Sequence, residues 1–215
     1  VTAVANLYNL PGISLESAHH ASNKTKMKEA FIANNVPTPP YVVIRDIAHL
    51  EAETQRRGYP LVLKPCDGRG SRGVLYLDGS MSLHEAYKLS INNSEVGILL
   101  LEEFIPGDQL SVEGMFVDRK YRAIAFADRN YKNLPLTSPF IIEDGGVIPS
   151  KYEGTILEQI AECIEQAAYS LGIDQGPVKA DIVLSKNGPM VIEIAARLSG
   201  NYLASHHMRW SLGVD

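Results

Sequence analysis

The chain has 215 residues, 45% of them apolar and 21% charged, with a formal net charge of −5. This is the make-up of a soluble globular protein, long enough for one large domain or two small lobes. It excludes the basic footprint of a nucleic-acid binder and any apolar run able to span a bilayer.

Cys66 and Cys163 follow no metal-ligand spacing, and no signal-peptide pattern opens the chain, so a reducing, cytoplasmic location is expected. The adjacent pairs His19-His20 and His206-His207 point in different directions on any regular element, so neither pair alone makes a metal site. The chain opens on Val1 and closes on Gly213-Val214-Asp215 with no terminating signal. It therefore reads as a piece of a longer protein, with a missing N-terminal domain expected to complete the site.

Residues 1–12 are weakly apolar and end on the turn Leu10-Pro11-Gly12. Ser14 opens a short helix, and a second helix is predicted over residues 23–34, with Met27, Ala30 and Phe31 at helical spacing. Lys24, Lys26 and Lys28 crowd its opening turns against the helix dipole, so either they are solvated or one of them has an anionic partner. Pro37, Pro39 and Pro40 prevent continuation. After a strand at 41–44 and a charged helix at 46–57 comes a buried strand at 61–65. Its Lys64 needs an anionic partner, because lysine is rarely buried without one. Residues 67–73 read Asp-Gly-Arg-Gly-Ser-Arg-Gly and lead into a strand at 74–77. Such a connection can wrap phosphates with its backbone N–H groups, yet it matches neither the Walker nor the Rossmann pattern, and alone it equally describes a hairpin tip.

A helix over 82–92 starts on Ser82, with Glu85 completing a capping box. Residues 97–107 read as a buried strand running into an extended connector. Glu102-Glu103 is an unusual end for an apolar strand. Free backbone groups in the connector could read a purine edge, with Phe104 and Ile105 as apolar walls. Strands at 109–117 and 121–128 follow, with Arg129 just past the second. Residues 130–150 are irregular, and a loop of that length is often functional. The longest helix covers 152–171 with Ile156, Ile160, Cys163, Ile164 and Ala167 on one face, and residues 202–215 begin a further helix.

Between these last two helices lies a hairpin, 178–201, with one acid in each arm: Asp181 and Glu193. A three-residue loop at 186–188, with Gly188 left-handed, pairs Ser185 with Pro189 and sets the two acids opposite each other. A two-residue turn puts them on opposite faces. Two adjacent carboxylates repel unless a cation lies between them or one is protonated, and hard oxygen donors suit magnesium. As plain surface acids on a solvent-facing hairpin they would need no explanation.

Taken in order, Asn23-Lys24, Tyr-Pro-Leu-Val-Leu-Lys-Pro and its glycine-rich loop (59–73), Leu-Glu-Glu-Phe-Ile-Pro-Gly (101–107), Lys-Ala-Asp (179–181) and Ile-Glu-Ile-Ala-Ala-Arg-Leu-Ser-Gly (192–200) resemble the ATP-grasp superfamily. Within it they resemble the carboxylate–amine ligase branch. The resemblance runs from about residue 14 to the end. It implies an α+β fold in which two lobes clasp ATP: residues 21–100 as the N-terminal lobe, 101–215 as a truncated C-terminal lobe, and 1–20 as the tail of a preceding domain plus linker.

It further implies that Lys24 and Lys64 hold the phosphates, with Lys64 and Arg197 catalytic, and that loop residues Gly70 and Ser71 cover the phosphates. Glu102, Glu103, Phe104 and Ile105 form the adenine connector. Gln109 stands where the family usually has a ribose-binding acid. Asp181 and Glu193 match the Mg2+ ligands, and Ala195 replaces a further metal ligand common in the family. Two ions are still favoured, with Glu193 bridging them. Arg129 is a candidate for the substrate carboxylate. The implied activity is ATP- and Mg-dependent ligation of a small carboxylate to an amine through an acyl phosphate. The alternatives are a bicarbonate-using carboxylase or carbamoyl-phosphate-synthase-like enzyme, and a nucleotide-binding module without turnover. A homodimer is compatible with the sequence, which does not ask for one.

Overall fold

In the computed structural model, residues 1–200 and 202–213 are described. Among them, two antiparallel sheets carry separate apolar cores, and both contribute to one cleft. The first sheet is built from β1 (Tyr41–Ile44), β2 (Leu61–Pro65), β3 (Leu75–Leu77) and β4 (Leu99–Glu103), in the order β1-β4-β2-β3. Helices α4 (Ile47–Arg57) and α5 (Leu83–Ile91) cover one face. Strict alternation decides which side chains go where: Leu61, Leu63, Leu99 and Leu101 enter that core, while Val62, Lys64 and Glu102 face the cleft.

The second sheet joins β5 (Asp108–Val117), β6 (Lys120–Arg129), β7 (Gly146–Val147), β8 (Gly176–Ser185) and β9 (Gly188–Ala195), in the order β7-β6-β5-β8-β9. Helix α7 (Thr155–Ser170) presents Ile160, Cys163, Ile164 and Ala167 to its core. Ile156, expected on that stripe, sits in the first turn of α7 and is exposed. Two N-terminal helices are α2 (Leu15–Ser22) and α3 (Lys24–Ala33). Met27 and Phe31 of α3 pack into the core of the second sheet, not the first.

Local signals explain most of the boundaries. The side chains of Ser14, Asn23 and Asp46 each accept the N–H of the residue three positions on, capping α2, α3 and α4. Ser82 stands at the start of α5 but its hydroxyl makes no capping bond, so the expected capping box does not close. Residues 1–12, read as a weakly apolar stretch ending in a turn, contain α1 (Thr2–Leu7), which buries none of its side chains.

Loop 130–150 contains α6 (Leu134–Thr137) and the edge strand β7. It also crosses to the other sheet, where Tyr76 N–H donates to the Pro139 carbonyl at 2.7 Å and Phe140 bridges to Leu75 of β3. Beyond β9, a π-helical turn at Leu203–His207 runs into α8 (Met208–Leu212), which accounts for the helix expected there. No helix among the described residues is long and apolar enough to cross a membrane.

The hairpin corrects the expected register. Ser185 pairs with Gly188, not Pro189, so the turn has two residues. Gly188 does take a left-handed φ, of +108°. The register then shifts between Asp181 and Ile182, where β9 carries an extra residue, Ile192. The outcome is that Asp181 still pairs with Glu193. The bulge also shows in burial: Val191 and Ile194, three residues apart, both face the core.

Candidate active site

The cleft between the sheets has about 880 Å³ of free space, part of it open to solvent. Every residue assigned from the sequence to nucleotide, metal or substrate lines it, with one exception. Arg197 lies outside, exposed, with its guanidinium donating to the neighbouring Leu198 carbonyl at 2.9 Å.

Lys24 opens α3 at the cleft wall. Its backbone N–H donates to the Cys66 carbonyl, its ammonium donates to Gly68 O at 2.7 Å, and the same ammonium lies 3.6 Å from Glu193. Of the other two α3 lysines, Lys26 is exposed beside Glu29, whereas Lys28 is buried against Glu102.

The glycine-rich loop is anchored at its base. Asp67 accepts from the Ser94 hydroxyl (2.7 Å) and from the N–H groups of Glu95 and Val96 (2.8 and 3.1 Å). At the far end Ser90 donates to Gly73 O. Between these anchors Gly70 and Ser71 both take left-handed backbone conformations and point into the cleft region.

Glu102 departs from its expected part. Its carboxylate is buried and lies 2.7 Å from Lys64 and 3.2 Å from Lys28, so it partners two lysines instead of addressing a base. Burial pushes the Glu102 carboxyl up, but the two ammonium groups outweigh it and hold it below the usual range. Burial draws Lys28 down to about 8 despite Glu102. The connector is also less free than expected: Glu103 N–H donates to Pro40 O and Phe104 N–H to Pro60 O. Phe104 meets Tyr76 edge-on, with ring centroids 4.9 Å apart, which forms the apolar wall.

The second sheet supplies the opposing side. Strand period puts Gln109, Lys179, Asp181, Val183 and Glu193 on the cleft face. Asp181 is contacted by the Lys179 ammonium, by Arg129 at 3.1 Å and by the Ser111 hydroxyl. Burial opposes its ionisation, and Lys179 and Arg129 more than offset this. Arg129 is not a free fork for a substrate carboxylate. It also donates twice to Glu143 and lies over the Tyr131 ring at 5.2 Å. Glu113 of β5 is fully buried, where burial raises its carboxyl and its oxygens accept the Ser199 N–H.

Lys28, Lys179 and Glu143 were given no place at the site from the sequence. The first two carried a signal: Lys28 is one helical turn beyond Lys24, and Lys179 is two strand residues before Asp181. Glu143 carried none, since its place depends on how loop 130–150 folds.

No group of three or more His, Cys, Asp or Glu side chains able to hold a metal stands among the described residues. The two acids Asp181 and Glu193 stand opposite each other on the cleft face. Two carboxylates completed by substrate phosphates is a donor set that fits magnesium.

A family model described as an ATP-grasp domain matches residues 21–201. The alanine–anticapsin ligase of Bacillus subtilis is 27% identical over 214 residues, covering 89% of this chain and 44% of that protein. The D-alanine–D-alanine ligase of Gloeobacter violaceus is 27% identical over 197 residues, covering 87% of this chain and 62% of the other. The crystal structure of an L-amino acid ligase from Bacillus licheniformis superposes with a TM-score of 0.80 at 25% identity, over 97% of this chain and 48% of that one. The chain spans about half the length of these relatives.

Proposed function

The chain belongs to the ATP-grasp family, and from that premise we propose that it forms the ATP site of a Mg-dependent ligase that joins a small carboxylate to an amine. The observation that carries this reading is the convergence on one cleft of Lys24, Lys64, Asp181 and Glu193, drawn from four separate elements. The relatives whose printed names are ligases support the C–N chemistry.

In this reading the substrate carboxylate attacks the γ-phosphorus of ATP, giving an acyl phosphate and ADP. The amine then attacks the acyl carbon and phosphate leaves. Lys24 and Lys64 neutralise the phosphates. To reach them, Lys24 exchanges its bond to Gly68 O, and Lys64 keeps its positive character because Glu102 is shared with Lys28. Phe104 and Ile105 wall the base, Gln109 serves the ribose in place of an acid, and Gly70 and Ser71 present the covering loop. Asp181 and Glu193 would hold Mg2+, which supplies charge neutralisation on the transferred group. Arg129, gripped by Asp181 and Glu143, orients the metal side. Catalysis then rests on position and charge with no protein nucleophile, and removing one such charge costs on the order of two to three powers of ten in rate.

Calorimetric titration of Mg-ATP into the full-length protein tests the reading, with Lys64→Ala and Glu193→Ala alongside. Magnesium-dependent binding that both variants lose is the expected result. Absence of binding by the wild-type protein would overturn it, and binding without carboxylate-dependent phosphate release would point to a module that has lost turnover.

A further inference from the structure

Lys28 and Thr38 touch the site from behind. Neither lines the cleft, and Lys28 is 1% exposed. The Lys28 ammonium donates to the Thr38 hydroxyl at 2.6 Å and lies 3.2 Å from Glu102. The Thr38 hydroxyl in turn donates to the Val191 carbonyl at 2.7 Å. An ammonium can only donate, so the Thr38 proton is committed to Val191. The Val191 N–H donates to the Pro37 carbonyl at 2.8 Å. Both backbone groups of Val191 on the free edge of β9 are therefore held by residues 37 and 38.

Val191 is a special position. It is the last regularly paired residue before the bulge, opposite Ile182, and the next pair is Asp181 with Glu193. The bulge brings Glu193 to the cleft face, and it leaves Ile192 unpaired and interrupts the β8–β9 ladder at that point. The inner flank is pinned by β8. The outer flank is pinned by Thr38.

We propose that Lys28 and Thr38 are positioning residues that lock the β9 bulge and so set Glu193 for the metal. Lys28 has a second effect through the same ammonium. One carboxylate shared by two lysines leaves a net positive charge, and Lys64 is the member that faces the cleft. This inference rests on the proposed ATP and magnesium site and extends it to residues that meet neither ligand.

The test uses the full-length protein with Thr38→Val, Thr38→Ser and Lys28→Met. ATP binding is titrated with and without Mg2+, and the thermal midpoint is recorded. Thr38→Val keeps the shape and loses the bond. It is expected to raise the Mg2+ concentration for half-maximal enhancement roughly tenfold while metal-free ATP affinity stays within about twofold, since one such bond is worth roughly that factor. Thr38→Ser is expected to restore the wild-type value. Lys28→Met is expected to weaken metal-free ATP binding as well, because it removes charge behind Lys64. An unchanged magnesium dependence in Thr38→Val would overturn the proposal. So would equal losses of metal-free and metal-dependent affinity that track the thermal midpoint, since that is the signature of a merely structural role. A wild-type protein whose ATP binding ignores Mg2+ would instead remove the metal assignment itself, before any variant is compared.

Discussion

Asp181 and Glu193 face each other across β8 and β9 although only Lys186 and Asn187 separate the nearest paired residues, Ser185 and Gly188. An even two-residue turn alone would send the acids to opposite faces. The extra residue Ile192 cancels that parity, so the pairing is a property of the bulge and not of the turn.

The two acids should respond differently to neutralisation. Glu193 is 37% exposed in its side chain with one ion pair at 3.6 Å, so Glu193→Gln is expected to remove the Mg2+ effect on ATP binding with little change in folding stability. Asp181 is buried against Lys179 and Arg129. Asp181→Asn leaves two cations short of an anion and is expected to cost about 3 kcal/mol. Urea denaturation of both variants, beside the magnesium titration, separates the two effects.

The buried cluster at Glu102 predicts a pH dependence of stability. Its carboxyl is held below the usual range in the fold, so the unfolded chain binds the proton more readily. The resulting stability is fully present above the unfolded value and is lost as pH falls through the folded value. Thermal midpoints of wild type should therefore drop from about pH 5 downward. Glu102→Gln is expected to be less stable at neutral pH, by about 3 kcal/mol, with a flatter acid limb. Parallel acid limbs in the two proteins would count against the cluster.

Asp67 gathers three donors from residues 94–96 at the root of the glycine-rich loop. Asp67→Ala should loosen that root, costing about 2 kcal/mol. Amide hydrogen exchange at Glu95 and Val96 is expected to accelerate, which can be read by mass spectrometry or NMR.

Gly107 ends the connector at φ +150°, and a Cβ there would lie 2.2 Å from the Leu184 carbonyl oxygen. That neighbour is sheet backbone and cannot swing aside. Gly107→Ala is expected to lose at least about 2 kcal/mol and to weaken ATP binding by displacing Gln109. Denaturant midpoints and calorimetry report the two parts.

Much of this was legible from the chain. The lone charge in the buried strand at 61–65 announced that an anion must lie near Lys64. The order of the short motifs led to the family, and the residues singled out in them line one cleft apart from Arg197. The partner of Lys64 was not legible, because nothing local says that Glu102 turns its carboxylate inward between two lysines. Nor was the packing of α3, whose apolar face fits either core by spacing alone.

Alternation, caps and turn residues are set over a few neighbouring residues, so the sequence by itself determined most of the elements, the fold class and the four charged residues Lys24, Lys64, Asp181 and Glu193 that meet in the cleft. Pairings across strands and lobes depend on register and on how distant segments meet. Only the tertiary structure decided that a bulge at Ile192 restores Asp181 to Glu193. It alone showed that Arg129 is bound by Asp181 and Glu143, and that a lysine and a threonine outside the cleft hold the edge of β9. The physical reason is that each of these contacts joins residues too far apart in the chain for any local preference to specify, and is stable only because the surrounding cores fix both partners.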